Sequence, residues 1–455
     1  MSASRTLFHS TSGRANRAGF VYLIALLAVT VAAAIAMVMG RGVGLRLQAG
    51  NAITARADCR AAALGMVRAI VNDLNATLAT GLPQLSTVQP AGEQIGDCTV
   101  ILIGRDPHGV TMPFALIPEA GKFPINAPAA GAALDAKYNI LSVLPGMTQN
   151  VAAAMLDWID SDDEVSSYGG AERTDSAYAG AAVPYAPRNS QFEALAELRL
   201  VRGVTDALYF GEDVNGNGRL DPGEDSDRDG KLTPGLRDLI TVMDIREPPN
   251  APDGSARLNL GGGRAGRTFQ DLLTGLFGTA RGAELFAQAT GTFANRLELF
   301  AALELSDAEA AALWPCVSVN GVRAGLIDAW SCRDEVLIAI AGNNLAQKII
   351  AARPTTPPNG PGWLTSILTR DEAKLFGNQL GSGSYQFSAD ILAVRNDGSG
   401  WARLGATFNC TLGSAVVVGL QPLETQGWPL PWATPDQLRG GAPGAVATLL
   451  TAVPH

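Results

Sequence analysis

The sequence predicts an α+β protein: a long N-terminal helix packed on a small antiparallel sheet, with a large, mainly α-helical domain inserted in the sheet. Three observations point there. Residues Phe20 to Gly40 carry no charge, and a helical pattern goes on from them to about Leu78. Short apolar stretches of strand type occur in two places far apart, near residues 98–126 and 385–410. Between those places the patterning is helical and is broken by a glycine-rich acidic segment.

The N-terminal element comes first. About 20 residues at roughly 1.5 Å each match a hydrocarbon core of about 30 Å, so Phe20 to Gly40 can cross a bilayer as a helix. Arg5, Arg14 and Arg17 precede this run and no basic residue interrupts it, which predicts a cytoplasmic N-terminus with the bulk of the chain across the membrane. A secretory signal cleaved near Ala34-Ile35-Ala36 and a permanent single-span anchor are competing readings. From Asn51 onward, Leu64, Val67, Ile70, Val71, Leu74 and Leu78 recur at three- and four-residue steps, an amphipathic continuation that a discarded signal does not need. Gly40, Gly42 and Gly44 each lower helix propensity by about 1 kcal/mol, which predicts an interruption there.

Composition narrows the function classes. At 455 residues the chain can hold two or three domains, each with its own core. The net charge is −9 and no basic patch stands out to neutralise phosphates, which argues against a nucleic-acid partner. Five cysteines (Cys59, Cys98, Cys316, Cys332 and Cys410) are too few for a disulfide scaffold. Cys316 and Cys332 are near enough in sequence to bridge in an oxidising compartment, and the odd total leaves at least one thiol free or paired with another chain. His9, His108 and His455 have no metal-ligand spacing, and no nucleophile elbow, phosphate loop or dinucleotide fingerprint occurs, so no enzyme is expected.

The sheet and the helices follow in order. Cys98 to Gly104, Thr111 to Ile117 and Lys122 to Asn126 predict a small meander. Thr148 predicts an N-cap for a helix through Ala152, Met155, Leu156 and Ile159 after the Leu144-Pro145-Gly146 turn. The acids from Asp160 to Glu164 read as a solvated helix end more than as a site. Residues 261–300 give no clear pattern. Ser306 with Glu309 forms a capping box, and a helix from Asn343 stops at Pro354. Pro354 to Gly362 reads as a linker returning to the sheet. There, Tyr385 to Val394 and Trp401 to Cys410 flank the hairpin signal Asn396-Asp397-Gly398. The tail after Pro422 reads as poorly ordered.

The strongest chemical motif runs from Asp213 to Glu224. Asp213, Asn215, Asn217, Asp221 and Glu224 stand at positions 1, 3, 5, 9 and 12 of a twelve-residue loop, with Gly218 at position 6 and the Arg219 carbonyl at position 7. This is the EF-hand calcium pattern, which wraps six to eight oxygens around one ion at about 2.3–2.6 Å. Asp225, Asp227, Asp229, Gly230, the Lys231 carbonyl and Thr233 repeat its first half, but position 12 is Leu236, with Asp238 as the nearby substitute. Calcium in these loops is expected to be structural, converting binding energy into folding energy.

Gly19-Phe20 ahead of the apolar run is similar to the cleavage site of type IV pilins and of the pseudopilins of type II secretion systems. The resemblance implies that a prepilin peptidase cuts after Gly19, leaving Phe20 as a methylated N-terminus. The fifth residue from Phe20 is Ile24, where most relatives carry glutamate, and its absence resembles the K-type minor pseudopilins, the GspK family. So does the order Asp157-Trp158-Ile159-Asp160, Gly170-Ala171-Glu172, Tyr178, Pro184-Tyr185, Asn189 and Glu197-Leu198-Arg199-Leu200-Val201-Arg202-Gly203.

From this resemblance follow a pilin-like fold and a division of the chain. Residues 1–19 are a leader and 20–80 the helix, with 20–40 spanning the inner membrane or joining the filament core. Residues 81–135 begin the β domain, 136–353 form the inserted α-domain with calcium, and 354–455 complete the β domain and tail. The implied role is at the tip of the pseudopilus with I- and J-type minor pseudopilins, and with contact to secreted proteins. An anchored calcium-binding adhesin is the alternative, and a secreted hydrolase lacks any visible nucleophile and base.

Overall fold

A computed structural model of the chain describes residues 15–78, 82–83, 91–104, 116–127, 132–261, 266–321, 324–439 and 444–451. The chain forms two compact units, residues 1–57 and 58–455. In the first, the described residues are helical, and the apolar side chains from Phe20 to Val43 are largely exposed. Helix α1 (Ala15–Leu78) shows no break at Gly40, Gly42 or Gly44. The propensity cost of those glycines is small beside the cooperative gain of extending a helix that already exists. By length and composition this helix qualifies as a membrane span.

The second unit is built on an antiparallel sheet. Strands β1 (Ala91–Ile95), β2 (Cys98–Leu102), β4 (Gln386–Arg395), β5 (Trp401–Asn409) and β6 (Val416–Pro422) lie in that order, and β3 (Ile117–Pro118) also pairs with β4. The sheet therefore joins chain segments almost 300 residues apart: Leu392 stands opposite Ile101, and Val394 opposite Thr99. The β4–β5 hairpin forms where Asn396-Asp397-Gly398 signals it, with Gly398 at φ 67°. The expected early meander is only partly present. Residues 105–115 lie outside the described residues, and Phe123–Pro124 pairs in parallel with Ile240–Thr241 instead.

Alternation along the strands gives the sheet two covered faces. Val100, Leu102, Ile391 and Ala393 pack on Cys59, Ala63, Met66, Ile70 and Leu74 of α1. Of the expected helix face, Val67, Ile70 and Leu74 are buried, whereas Leu64 is exposed. Ile101, Ile103, Leu392 and Val394 point to the opposite face and meet Leu430, Leu438, Val446 and Leu450. The described residues after Pro422 thus form a packed cover, contrary to the expected loose tail, because a sheet with two apolar faces needs something on each.

Between the two parts of the sheet lies a mainly helical region with one continuous core. Helices α2 (Ala132–Ser142) and α3 (Gln149–Ile159) open it, and Thr148 caps α3 through the Val151 amide as expected. The capping box of Ser306 and Glu309 is present. Residues 261–300 contain the helices Arg267–Phe277, Thr279–Gln288 and Arg296–Ala302. The Asn343 stretch is the second half of a helix, Asp334–Ala352, kinked at Gly342 with φ 73°. The expected return linker is cut short: Gly362–Ile367 and Arg370–Phe376 are two further helices before the sheet resumes.

Cys316 and Cys332 are not bonded to each other. The Cys316 thiol donates to the Ala312 carbonyl, and buried Cys332 donates to Ala329 and accepts from Arg353.

Candidate metal centre

The first acidic loop starts where a short helix, Asp206–Phe210, ends at Gly211. Gly211 takes φ 64°, and a Cβ there would lie 2.4 Å from the Thr233 carbonyl oxygen, so only glycine fits. Its bridge to Pro234 brings the start and the end of the double loop together. Within the loop, Gly216 and Gly218 are left-handed (φ 70° and 75°), which turns successive amides inward.

Those amides meet the acids. Asp213, fully buried, accepts from the Asn217 and Gly218 amides at 2.8 and 2.9 Å. Glu224 accepts from Val214 at 3.1 Å and from Asp221 at 3.0 Å. The side-chain amides of Asn215 and Asn217 both donate to Asp221 Oδ2 at 2.8 Å. Burial, with Asp213 and Asp221 close by, raises the Glu224 carboxyl above its ordinary range. The oxygens of positions 1, 3, 5, 9 and 12 are thus drawn into one small loop, a donor set that suits a hard cation such as calcium. Arg219 turns outward over the Trp432 ring.

The second loop differs from its sequence reading. Leu236 is buried in the helical core, and Asp238 sits beside Arg237 at 3.8 Å, so neither takes the twelfth position. Glu212, just ahead of the first loop, reaches into the second instead. Its carboxylate accepts from Ser226 N and Oγ at 2.6 and 2.7 Å and from the Thr233 amide at 3.0 Å. Burial alone would raise its pKa, but these hydrogen bonds hold it down at about 2. Glu212, Asp225 and Asp227 offer carboxylate oxygens within 4.8 Å of one another. Asp229 stays exposed and caps the Lys231 amide at 2.7 Å. Glu212 escapes a reading by spacing because it precedes the motif it serves.

The double loop is clamped to the sheet. Arg403 of β5, fully buried, pairs with Asp390 of β4 through Nε and Nη2 at 2.9 and 2.5 Å. The same guanidinium donates to the carbonyls of Asn215 at 2.6 Å and Gly216 at 3.0 Å. Asn217 adds a bond to the Pro429 carbonyl at 2.9 Å. On the other side Arg237, also buried, donates to the Asp213 carbonyl.

A second acidic centre lies at the end of α3. Asp157, Asp160 and Glu172 bring carboxylate oxygens within 4.8 Å of one another. Glu172 is 1% exposed, and neither of its oxygens has a hydrogen-bond partner. Burial first, then the neighbouring acids, push Asp160 and Glu172 up to about 7. Gly170 leaves the room: a Cβ there would lie 2.0 Å from Asp157 Oδ2. Asp162, Asp163 and Glu164 are exposed, so only Asp160 of the expected solvated run turns inward. Asp157 and Glu172 went unnoticed as ligands because fifteen positions and a turn separate them in sequence.

Gly19 and Phe20 lie in α1, and the Phe20 ring is exposed. The rest of the leader, residues 1–14 with His9, falls outside the described residues, as do His108 and His455.

Comparison with known proteins gives the class. Residues 126–210, which hold α3, Asp157, Asp160 and Glu172, match the family model for protein K of the type II secretion system (T2SS). Over those residues the chain is similar to protein K of the type II secretion system. The fold is also similar to a chain in the crystal structure of the GspK-GspI-GspJ complex from the enterotoxigenic Escherichia coli type 2 secretion system. There the identity is 13% and the TM-score 0.43, over 79% of this chain and 93% of that one. No curated protein matches the chain.

Proposed function

We propose that this chain is the minor pseudopilin that caps the type II secretion pseudopilus, held by α1 and stabilised by calcium. The observation that carries the reading is the protein K domain at 126–210, in a chain whose N-terminal helix exposes an uncharged apolar surface. That surface is suited to a bilayer or to the helices of neighbouring subunits. A prepilin peptidase would cut after Gly19, and the bulk would stand on the periplasmic side of the inner membrane, as the arginines before the span direct.

The partners we propose are I- and J-type minor pseudopilins, in keeping with the family, and secreted proteins bound for the outer membrane. The role is mechanical. Residues without hydrolytic or redox geometry in the acidic centres would hold calcium, which supplies a positive charge that lets buried carboxylates stay ionised. Asp213, Asn215, Asn217, the Arg219 carbonyl, Asp221 and Glu224 would hold one ion. Glu212, Asp225, Asp227 and the Lys231 carbonyl are the donors for a second, with Asp229 at its rim, and Asp157, Asp160 and Glu172 are those for a third.

Sequencing the mature N-terminus tests assembly: a start at methylated Phe20 and co-purification with I- and J-type subunits are expected. A start near Met37, or an intact Met1, would remove the pseudopilin reading. Calcium is tested through Glu224→Gln, which is expected to lower the melting temperature more in calcium than in chelator, where it loses only the bond from one loop amide. An equal loss in both conditions would remove that ion.

A further inference from the structure

The core between α1 and the sheet contains two thiols in contact. Cys59 on α1 and Cys98 at the start of β2 are both buried, with their sulfurs 3.7 Å apart. Each is fixed by its element. Cys59 lies one turn before Ala62 and Ala63 on the buried helix face, and Cys98 is paired with Arg395 of β4 in the ladder. The Cys59 thiol also donates to the Gly400 carbonyl at 3.4 Å. Cys316 and Cys332, by contrast, donate to the carbonyls of Ala312 and Ala329.

We propose that Cys59 and Cys98 close to a disulfide that ties the anchor helix to the sheet. The inference rests on the extracytoplasmic placement proposed above, because disulfides persist in oxidising compartments and are rare in the cytosol. A disulfide needs its sulfurs at about 2.05 Å, and the two are already in van der Waals contact. In the reaction one thiol loses its proton, and its thiolate attacks the S–S bond of a protein-disulfide oxidant, forming a mixed disulfide and releasing one oxidant sulfur as thiolate. The second cysteine, likewise deprotonated, then displaces the other oxidant sulfur. The Cys59–Cys98 bond forms, the oxidant's bond breaks, and two electrons and two protons end on the oxidant as two thiols.

The position gives the bond a purpose. The buried contacts of α1 with the sheet are apolar side chains, which resist separation but have little directional resistance to sliding. Its polar links to the sheet side lie nearer the surface: Asp58 with Arg395 at 3.5 Å, Arg60 with Glu424 at 3.1 Å, and Asn75 with the Ala415 amide at 2.7 Å. A covalent bond closing a loop of about 40 residues constrains the unfolded chain and fixes the register of the helix against β2. A subunit pulled through its helix gains most from such a link.

The test uses the full chain, taken from membranes by acid quench, with free thiols then alkylated in denaturant at neutral pH. Non-reducing digestion and mass spectrometry are expected to give one linked peptide joining Cys59 to Cys98, lost in Cys59→Ala and in Cys98→Ala. Reductant should lower the melting temperature of the wild type by several degrees to that of either variant, and leave Cys59→Ala/Cys98→Ala unmoved. Protease accessibility in spheroplasts separates the two ideas. An accessible head with both cysteines alkylated overturns the disulfide and leaves the placement standing, and a protected head overturns both. Melting that falls further in the double variant than in either single one, without a response to reductant, would reduce the pair to ordinary packing.

Discussion

In the loop from Asp213 to Glu224, the buried acids are met by the loop's own amides, whereas in the pocket of Asp157, Asp160 and Glu172 the buried Glu172 carboxylate has no hydrogen-bond partner. The first centre is written as a contiguous pattern and folds into a nearly self-satisfied ring. The second is assembled from a helix end and a distant turn, and it stores repulsion between like charges. A cation therefore has different work in each: in the loop it would tighten an arrangement already hydrogen-bonded, and in the pocket it would relieve an uncompensated burial.

The largest test removes what holds the loop centre in place. Arg403→Met leaves Asp390 buried without its guanidinium and frees two loop carbonyls, so a loss of about 3–5 kcal/mol is expected in denaturant titration. Arg60→Ala serves as the control. Its partner Glu424 is reached from an exposed arginine, and the change should cost under about 1 kcal/mol. A similar cost for both would show that the clamp does not anchor the loop.

Crowding the pocket comes next. Gly170→Ala drives a methyl against Asp157, and a cost of about 1–3 kcal/mol is expected in thermal melts, with a weakened calcium response. Removing one charge has the opposite sign. Glu172→Gln should stabilise the chelated protein at pH 8 by about 1 kcal/mol, because a neutral amide replaces an unpaired buried charge, and should erase the pocket's gain from calcium.

The last test is a pH slope in chelator. Glu172 and Asp160 titrate near 7 in the fold and near 4 when unfolded, so between those values the folded state binds more protons. Stability should then fall as pH rises from about 4 to 7, and calcium should flatten or reverse the slope by competing with those protons. Glu212 acts outside this window. Its folded pKa of about 2 contributes stability above the ordinary carboxylate range that is lost only in stronger acid. Calorimetry at pH 5 and 7.5, with and without calcium, reads the sign directly.

Elements whose code is local were legible in the sequence. The apolar run of α1, the Thr148 cap, the Ser306–Glu309 box, the Asn396-Asp397-Gly398 hairpin and the spacing from Asp213 to Glu224 each rest on residues a few positions apart. Local periodicity, capping chemistry and glycine's access to positive φ fix these without the rest of the chain. What was missed depends on neighbours far away in sequence. Residues after Pro422 look loose alone, but they fill the second face of a sheet whose apolar alternation requires a cover. Glu212 in the second loop, Arg403 bridging strand and loop, Glu172 beside Asp157, and Cys59 against Cys98 have no signature in spacing. Burial created those pairings, because taking charges and thiols out of water makes their partners matter, and which groups are buried together is decided only when the chain closes on itself.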